Sequence, residues 1–303
     1  MSVIQSILQS YESDSPGVKA NLYRLLSAGA LGHTGKLLIY AVDQGFEHGP
    51  VKSFTTNPDT LDPLYHFHFT AEAKLSGLAA PLGFLETGAA HYAGQIPLIL
   101  KINSANRLWQ RPDPDQACTA TIQDALRLGC VGIGFTIYPG SNASLEMFEQ
   151  LQALSHEAKQ HGLVVIVWSY PRGNMDKAHE TALDVCSYGA HMACLLGAHI
   201  VKVKVPSAVL SEDTEDTKRL ATTMDLKKLS HRISYVKKAC FAGRRLVIFS
   251  GGDPKNDQQF LEEVTAIQEG GGNGSIIGRN LFQRPKQKAL QLAHEIIQRY
   301  QQI

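Results

Sequence analysis

The chain has 303 residues, 44% hydrophobic and 19% charged, with a formal net charge of +1. That is room for one large domain or two average ones and apolar material for a sizeable core. No run of Lys and Arg exceeds two residues and no stretch approaches eighteen consecutive apolar ones, so neither a nucleic-acid reader nor a membrane-spanning or membrane-surface protein is expected.

The segment Met1–Ser13 is polar and carries Glu12, unlike a secretory leader. Residues 1–35 are expected to form a helical extension of one or two helices that plugs one end of the fold. Apolar, β-branched runs then recur at Leu37–Val42, Leu78–Leu85, Pro97–Ile102, Val131–Ile137, Leu163–Trp168, Ile200–Val205, Leu246–Phe249 and Ser275–Ile277. Amphipathic patterns separate them, clearest at Pro114–Leu128, Ser144–Gln160, Lys177–Leu196, Met224–Cys240, Gln258–Glu269 and Lys286–Gln301. Strand and helix in alternation imply a parallel sheet. Eight such units suit a closed (β/α)8 barrel, an α/β TIM barrel, better than a doubly wound sheet. With no repeat, low-complexity tract or linker, residues 1–303 read as one domain.

The longest irregular piece, Pro206–Thr223, is acidic at Glu212, Asp213, Glu215 and Asp216. It is expected at the barrel mouth as a lid, an oligomer contact or a solvated loop. Five scattered cysteines (Cys118, Cys130, Cys186, Cys194, Cys240) form no Cys-x-x-Cys pair and fit reduced, mostly buried thiols of a cytoplasmic protein.

Strand one runs into Asp43-Gln-Gly-Phe-Glu-His-Gly-Pro50, an acid, a histidine and turn glycines at a strand's C-terminal end, where barrels carry catalytic loops. His66 and His68 have no carboxylate or thiol at ligand spacing, so no metal is expected. Strand three places Lys101 and Asn103 on one face, a weaker candidate pair. Strand five continues into Trp168-Ser-Tyr-Pro-Arg-Gly173, with Trp168 and Tyr170 on one face. There the indole suits a pocket wall and the phenol suits proton transfer.

Strand six, Ile200-Val-Lys-Val-Lys-Val205, breaks the rule that a buried parallel strand reads as continuous hydrophobics. Alternation puts Val201, Val203 and Val205 toward the helices and points both Lys202 and Lys204 into the barrel. A desolvated lysine beside a second cation loses its proton readily and becomes a nucleophilic amine. The pattern does not say which lysine reacts. Two turns close the chain: Ser250-Gly-Gly-Asp-Pro-Lys255 after strand seven and Gly278-Arg279 after strand eight. Barrels hold phosphate in these loops, through backbone N–H groups and here also through the Arg279 guanidinium.

The pieces DQGFEHGP, VWSYPRG, HIVKVKVP, SGG and GRN, in this order from Asp43 to about Arg284, resemble the archaeal-type class I fructose-1,6-bisphosphate aldolases. The resemblance implies a Schiff-base aldolase, without cofactor or metal, that cleaves a phosphorylated sugar in central carbon metabolism (glycolysis and gluconeogenesis) as a cytoplasmic homo-oligomer. It implies Lys202, the first lysine of the Lys-x-Lys pair, as the imine-forming residue. Tyr170 then matches the proton donor and acceptor, and Asp43 the acid of strand one. Trp168 would line the substrate, and Lys101, read from strand three alone, is a weaker substrate-binding candidate. Ser250, Gly251, Gly252, Gly278 and Arg279 would hold a phosphate. Gln44 stands where the motif often has histidine, and Asp253-Pro254 separates Gly252 from Lys255. Two alternatives are a related Schiff-base lyase, synthase or thiolase acting on another phosphorylated carbonyl compound, and a non-catalytic sugar-phosphate sensor.

Overall fold

In the computed structural model, which describes residues 1–106, 108, 113–252 and 255–302, eight parallel strands close into a barrel. They are β1 (Leu37–Ala41), β2 (Gly77–Ala80), β3 (Leu98–Lys101), β4 (Gly132–Ile137), β5 (Val164–Ser169), β6 (Ile200–Val203), β7 (Leu246–Ser250) and β8 (Gly274–Ile277). Each pairs with its neighbours in sequence. β8 returns to β1 in the register Leu37↔Gly274 to Tyr40↔Ile277, which closes the barrel.

Strand parity divides the core into two layers. Leu38, Tyr40, Ile133, Phe135, Val165, Val167, Val201 and Val203 face outward and pack with the surrounding helices. Leu37, Ile39, Ile99, Ile166, Trp168, Ile200 and Ile248 face inward. The inward layer is continuous with Ile4, Tyr11, Val18, Leu22 and Leu25 of the N-terminal segment, whose helices span Val3–Gln9 and Pro16–Ser27. The Tyr11 hydroxyl donates to the His199 carbonyl (2.7 Å) and accepts the Leu246 N–H (3.2 Å), at the N-terminal ends of β6 and β7. His199 accepts the Val165 N–H on Nδ1 (2.8 Å), which leaves its proton on Nε2, 3.1 Å from Asp14. This end of the barrel is therefore sealed, and the open end lies at the strand C-termini.

Several boundaries differ from the sequence expectation. β2 stops at Ala80 because Pro81 turns the chain into a helix at Leu82–Glu86. β6 stops at Val203, two residues early, so strand parity does not extend to Lys204. The Pro114–Leu128 pattern yields only the helix Ile122–Arg127, started by a Thr121/Asp124 capping box. Ahead of it, Ala117–Cys118 pairs antiparallel with Asn103–Ser104. Lys177–Leu196 becomes a 3-10 turn at His179–Thr181 and a helix from Leu183 to Leu195. Met224–Cys240 narrows to Leu229–Ala239. The segment read as irregular at 206–223 contains a helix, Glu215–Thr223, whose Thr214 side chain accepts the Thr217 N–H. None of its residues is buried, so hydrophobic periodicity could not reveal it. Among the described residues no helix is long and apolar enough to cross a membrane.

Candidate active site

Lys202 lies inward on β6, 5% exposed, in register with Trp168 of β5, which is itself in register with Thr136 of β4. Its ammonium stands 4.8 Å from the centre of the Trp168 ring and 5.5 Å from that of Tyr170. The indole fits there because β4 has no side chain at Gly134, where a Cβ would come within 2.2 Å of the ring. Burial pushes the Lys202 amine down to about 8, with Arg279 in the same direction and the carboxylates of Asp43 and Glu47 against it. A substantial neutral fraction at physiological pH is what nucleophilic addition needs.

Lys204 does not share this interior, contrary to the parity argument. The backbone has left the barrel by then, and its ammonium forms a 2.8 Å ion pair with Glu180. Lys101 does point inward and is 1% exposed. Its ammonium is committed to protein acceptors: the Asn103 carbonyl, Asn103 Oδ1 at 2.9 Å and Gln116 Oε1 at 3.4 Å. Asn103 is in turn pinned to β4, accepting the Thr136 N–H (2.7 Å) and donating to the Thr136 carbonyl (2.8 Å). Burial lowers Lys101 to about 8, and the positive field of Lys202 works in the same direction.

Asp43 is buried at the end of β1, and a short helix, Gln44–His48, follows it at once. That helix carries Glu47, a residue the sequence reading quoted but did not single out. Burial and the adjacent Asp43 raise the Glu47 carboxyl, while Lys101, Arg172 and Lys202 oppose the rise. On the other side, burial followed by the charges of Asp43 and Glu47 raises the Tyr170 phenol, with the Ser250 side chain opposing the rise. Tyr138 and Arg172 were also missed. The Arg172 guanidinium lies 5.1 Å from the ring centre of Tyr138 and 5.7 Å from that of Tyr170. Tyr138 accepts a 2.6 Å hydrogen bond from Gln116 Nε2, which links it to Lys101. Outside these groups opens a cavity of about 550 Å³, lined by Glu47, His48, Gln116, Tyr138 and Arg172 among others.

The loops after β7 and β8 meet beside this centre. Asn280 ties them together, its Nδ2 donating to the Gly251 carbonyl (3.0 Å) and its Oδ1 accepting the Lys255 N–H (3.1 Å). Gly252 adopts φ +66°, a left-handed conformation suited to glycine. Arg279 donates to the Gly252 carbonyl at 3.3 Å. Gly278 is packed so closely that a Cβ would lie 2.5 Å from the Ala41 carbonyl. Lys255 pairs with Glu263 at 2.6 Å, and Asp253 and Pro254 lie outside the described residues. Thus Lys202, Tyr170, Asp43, Trp168, Ser250 and the glycine loops converge on one mouth, Lys101 lies in its wall, and Lys204 falls outside it. A buried amine, two carboxyls and a phenol of raised pKa around it provide the nucleophile and proton-transfer groups for chemistry at a carbonyl carbon.

A sequence profile described as the DeoC/LacD family of aldolases matches residues 37–284. The chain is 35% identical over 254 residues to a class 1 fructose-bisphosphate aldolase of Halobacterium salinarum, covering 84% of this chain and 87% of that one. A fructose-bisphosphate aldolase/6-deoxy-5-ketofructose 1-phosphate synthase of Methanocaldococcus jannaschii is 31% identical over 273 residues, 87% and 81% of the two chains. A solved archaeal fructose-1,6-bisphosphate aldolase, captured with its catalytic lysine bound to the carbinolamine intermediate, superposes with a TM-score of 0.76 at 32% identity, covering 91% of this chain and 98% of that one.

Proposed function

The chain belongs to the DeoC/LacD aldolases and, within them, to the class 1 fructose-bisphosphate aldolases, and on that premise we propose that it reversibly cleaves fructose 1,6-bisphosphate into dihydroxyacetone phosphate and glyceraldehyde 3-phosphate through an imine on Lys202. The observation that carries this reading is a buried, inward amine, lowered by burial to about 8, against Trp168 and Tyr170.

The Lys202 amine adds to the C2 carbonyl carbon, and loss of water gives an iminium ion. A base takes the C4 hydroxyl proton, C4 becomes a carbonyl, and the C3–C4 bonding pair flows into the iminium to leave an enamine. Protonation at C3 and hydrolysis release the second product and free Lys202. In this account Tyr170 handles the moving proton. Asp43 positions a hydroxyl or assists dehydration of the carbinolamine, and Trp168 walls the pocket around the reacting carbons. Ser250, Gly251, Gly252, Gly278 and Arg279 hold a phosphate. Lys101, held by its own protein acceptors, acts as a positioning cation for the β3 end rather than as a phosphate ligand. The whole chain acts as one catalytic unit in a cytoplasmic homo-oligomer serving sugar breakdown or synthesis.

The methanogen relative that carries two activities in its name gives a second reading of the same site, a Schiff-base lyase acting on another phosphorylated ketose. A sensor has no use for a buried reactive amine. The test is a coupled assay of aldehyde release from a panel of phosphorylated ketoses, with and without EDTA. Fructose 1,6-bisphosphate is expected to be cleaved at equal rate in both. A clear preference for another ketose overturns the substrate, and loss of activity with EDTA overturns the metal-free mechanism.

A further inference from the structure

The mechanism accounts for the substrate as far as C4 and leaves its outer half without a partner. C2 bonds to Lys202 on β6 and C4 works against Tyr170 at the end of β5, so the substrate chain runs across the mouth in strand order and its next carbons point toward β4. Tyr138 stands there. β4 and β5 pair as far as Ile137 with Ser169, and the Tyr170 N–H still bonds to the Ile137 carbonyl (3.1 Å), so Tyr138 and Tyr170 leave the two strands side by side. The Arg172 guanidinium serves both rings, 5.1 Å from the centre of Tyr138 and 5.7 Å from that of Tyr170. Tyr138 is 2% exposed, yet it lines the cavity of about 550 Å³ that opens outside the reacting groups.

The Tyr138 hydroxyl has a fixed direction, set by a chain of partners behind it. The Lys101 ammonium can only donate, and it faces one end of the Gln116 amide at 3.4 Å, so that end must be the oxygen. The other end is therefore Nε2, which donates to the Tyr138 oxygen at 2.6 Å. Lys101 cannot swing aside to let the amide turn. Asn103 Oδ1 holds it at 2.9 Å, and Asn103 is itself tied to the Thr136 backbone through both its donor and its acceptor. The phenol oxygen thus accepts from Gln116, its own proton points elsewhere, and none of the described residues accepts that proton. We propose that Tyr138 is a substrate-binding residue that donates it to the C5 hydroxyl of fructose 1,6-bisphosphate, the 2-hydroxyl of the aldehyde formed on cleavage. Tyr138 thereby selects 2-hydroxyaldehydes as partners of the enamine. This rests on the aldolase reading above. Gln116 is a positioning residue, which touches no substrate and sets only which way the phenol faces.

The test runs the full-length protein in the synthetic direction, with dihydroxyacetone phosphate and either glyceraldehyde 3-phosphate or its 2-deoxy analogue, 3-phosphooxypropanal. The readout is the ratio of kcat/KM for the two aldehydes, in which effects on folding or on imine formation cancel. In Tyr138→Phe, which keeps the ring against Arg172, the preference for the 2-hydroxyaldehyde should fall about fivefold, the usual worth of one neutral hydrogen bond. Borohydride trapping with dihydroxyacetone phosphate alone should keep its wild-type rate. In Gln116→Glu the new carboxylate accepts the phenol's proton and turns it away from the cavity, so the preference should fall likewise although Tyr138 is intact. An unchanged ratio in Tyr138→Phe overturns the proposal, and an equal loss on both aldehydes makes Tyr138 a wall or a phosphate contact instead. An unchanged ratio in Gln116→Glu overturns the direction assigned to the hydroxyl. Wild type that traps no imine contradicts the aldolase reading itself, whereas normal trapping with an unchanged ratio contradicts this inference alone.

Discussion

Placement by a strand, more than residue type, distinguishes Lys202 from the other lysines. Lys204, two residues on, has the same chemistry but lies beyond the last strand residue and spends its charge on Glu180. Lys101 has the burial but not the freedom, since Asn103 and Gln116 hold its ammonium. A free amine of pKa about 8 makes imine formation rise with pH, because only the neutral form attacks. The initial rate of trapping with dihydroxyacetone phosphate should be about fiftyfold lower at pH 6 than at pH 8 and level off above it. A rate still climbing tenfold per unit through pH 10 would mean an ordinary solvated lysine. Tyr170→Phe keeps the ring and its packing but removes the proton carrier. Cleavage should fall about 10²–10⁴-fold while the imine still forms on Lys202 at long reaction times. Near-normal turnover would reduce Tyr170 to a wall. Lys202 and Trp168 were legible because strand alternation fixes the face of each side chain, and Tyr170, one residue past β5, keeps that parity because its N–H still bonds to the Ile137 carbonyl of β4 (3.1 Å). Glu47 sits in a five-residue helix and Arg172 beyond Pro171, where no periodicity fixes direction.

At the scale of elements, the strands were easier to find than their ends. Apolar runs marked all eight, but Pro81 ended one and departure from the barrel ended another. The helix Glu215–Thr223 escaped notice because none of its residues is fully buried, only Leu220 packs partly against the core, and its start is marked by a threonine cap. The loops after β7 and β8 were legible as glycine turns, whereas the amide of Asn280 that clamps them was not, since nothing in the sequence announces a contact across two loops. Arg279 opens the short helix after β8 and reaches back to the Gly252 carbonyl. If that corner holds a phosphate, Arg279→Ala should weaken phosphorylated substrates by about 1.5–3 kcal/mol, the usual loss for a hydrogen bond to a charged group. Binding constants for matched phosphorylated and unphosphorylated ketoses decide this. An equal loss for both would make Arg279 a support for the loops rather than a ligand.

For the whole molecule, the sealed end of the barrel decides where chemistry can happen. Tyr11, Val18, Leu22 and Leu25 fill the N-terminal ends of the strands, and Tyr11 satisfies backbone groups of two of them. The inward layer continues up to Trp168 and then changes character to lysine, carboxyl and phenol at the open mouth. Parallel strands all deliver their C-terminal ends to that mouth, which lets segments distant in sequence build one site. The central claim is that one of these segments supplies the covalent nucleophile. Reduction by borohydride in the presence of dihydroxyacetone phosphate, followed by proteolysis and mass spectrometry, tests it most directly. The account predicts irreversible inactivation with one secondary-amine adduct, on Lys202. An adduct on Lys101 or Lys204 would contradict the assignment, and full activity with no adduct would contradict the Schiff-base mechanism itself.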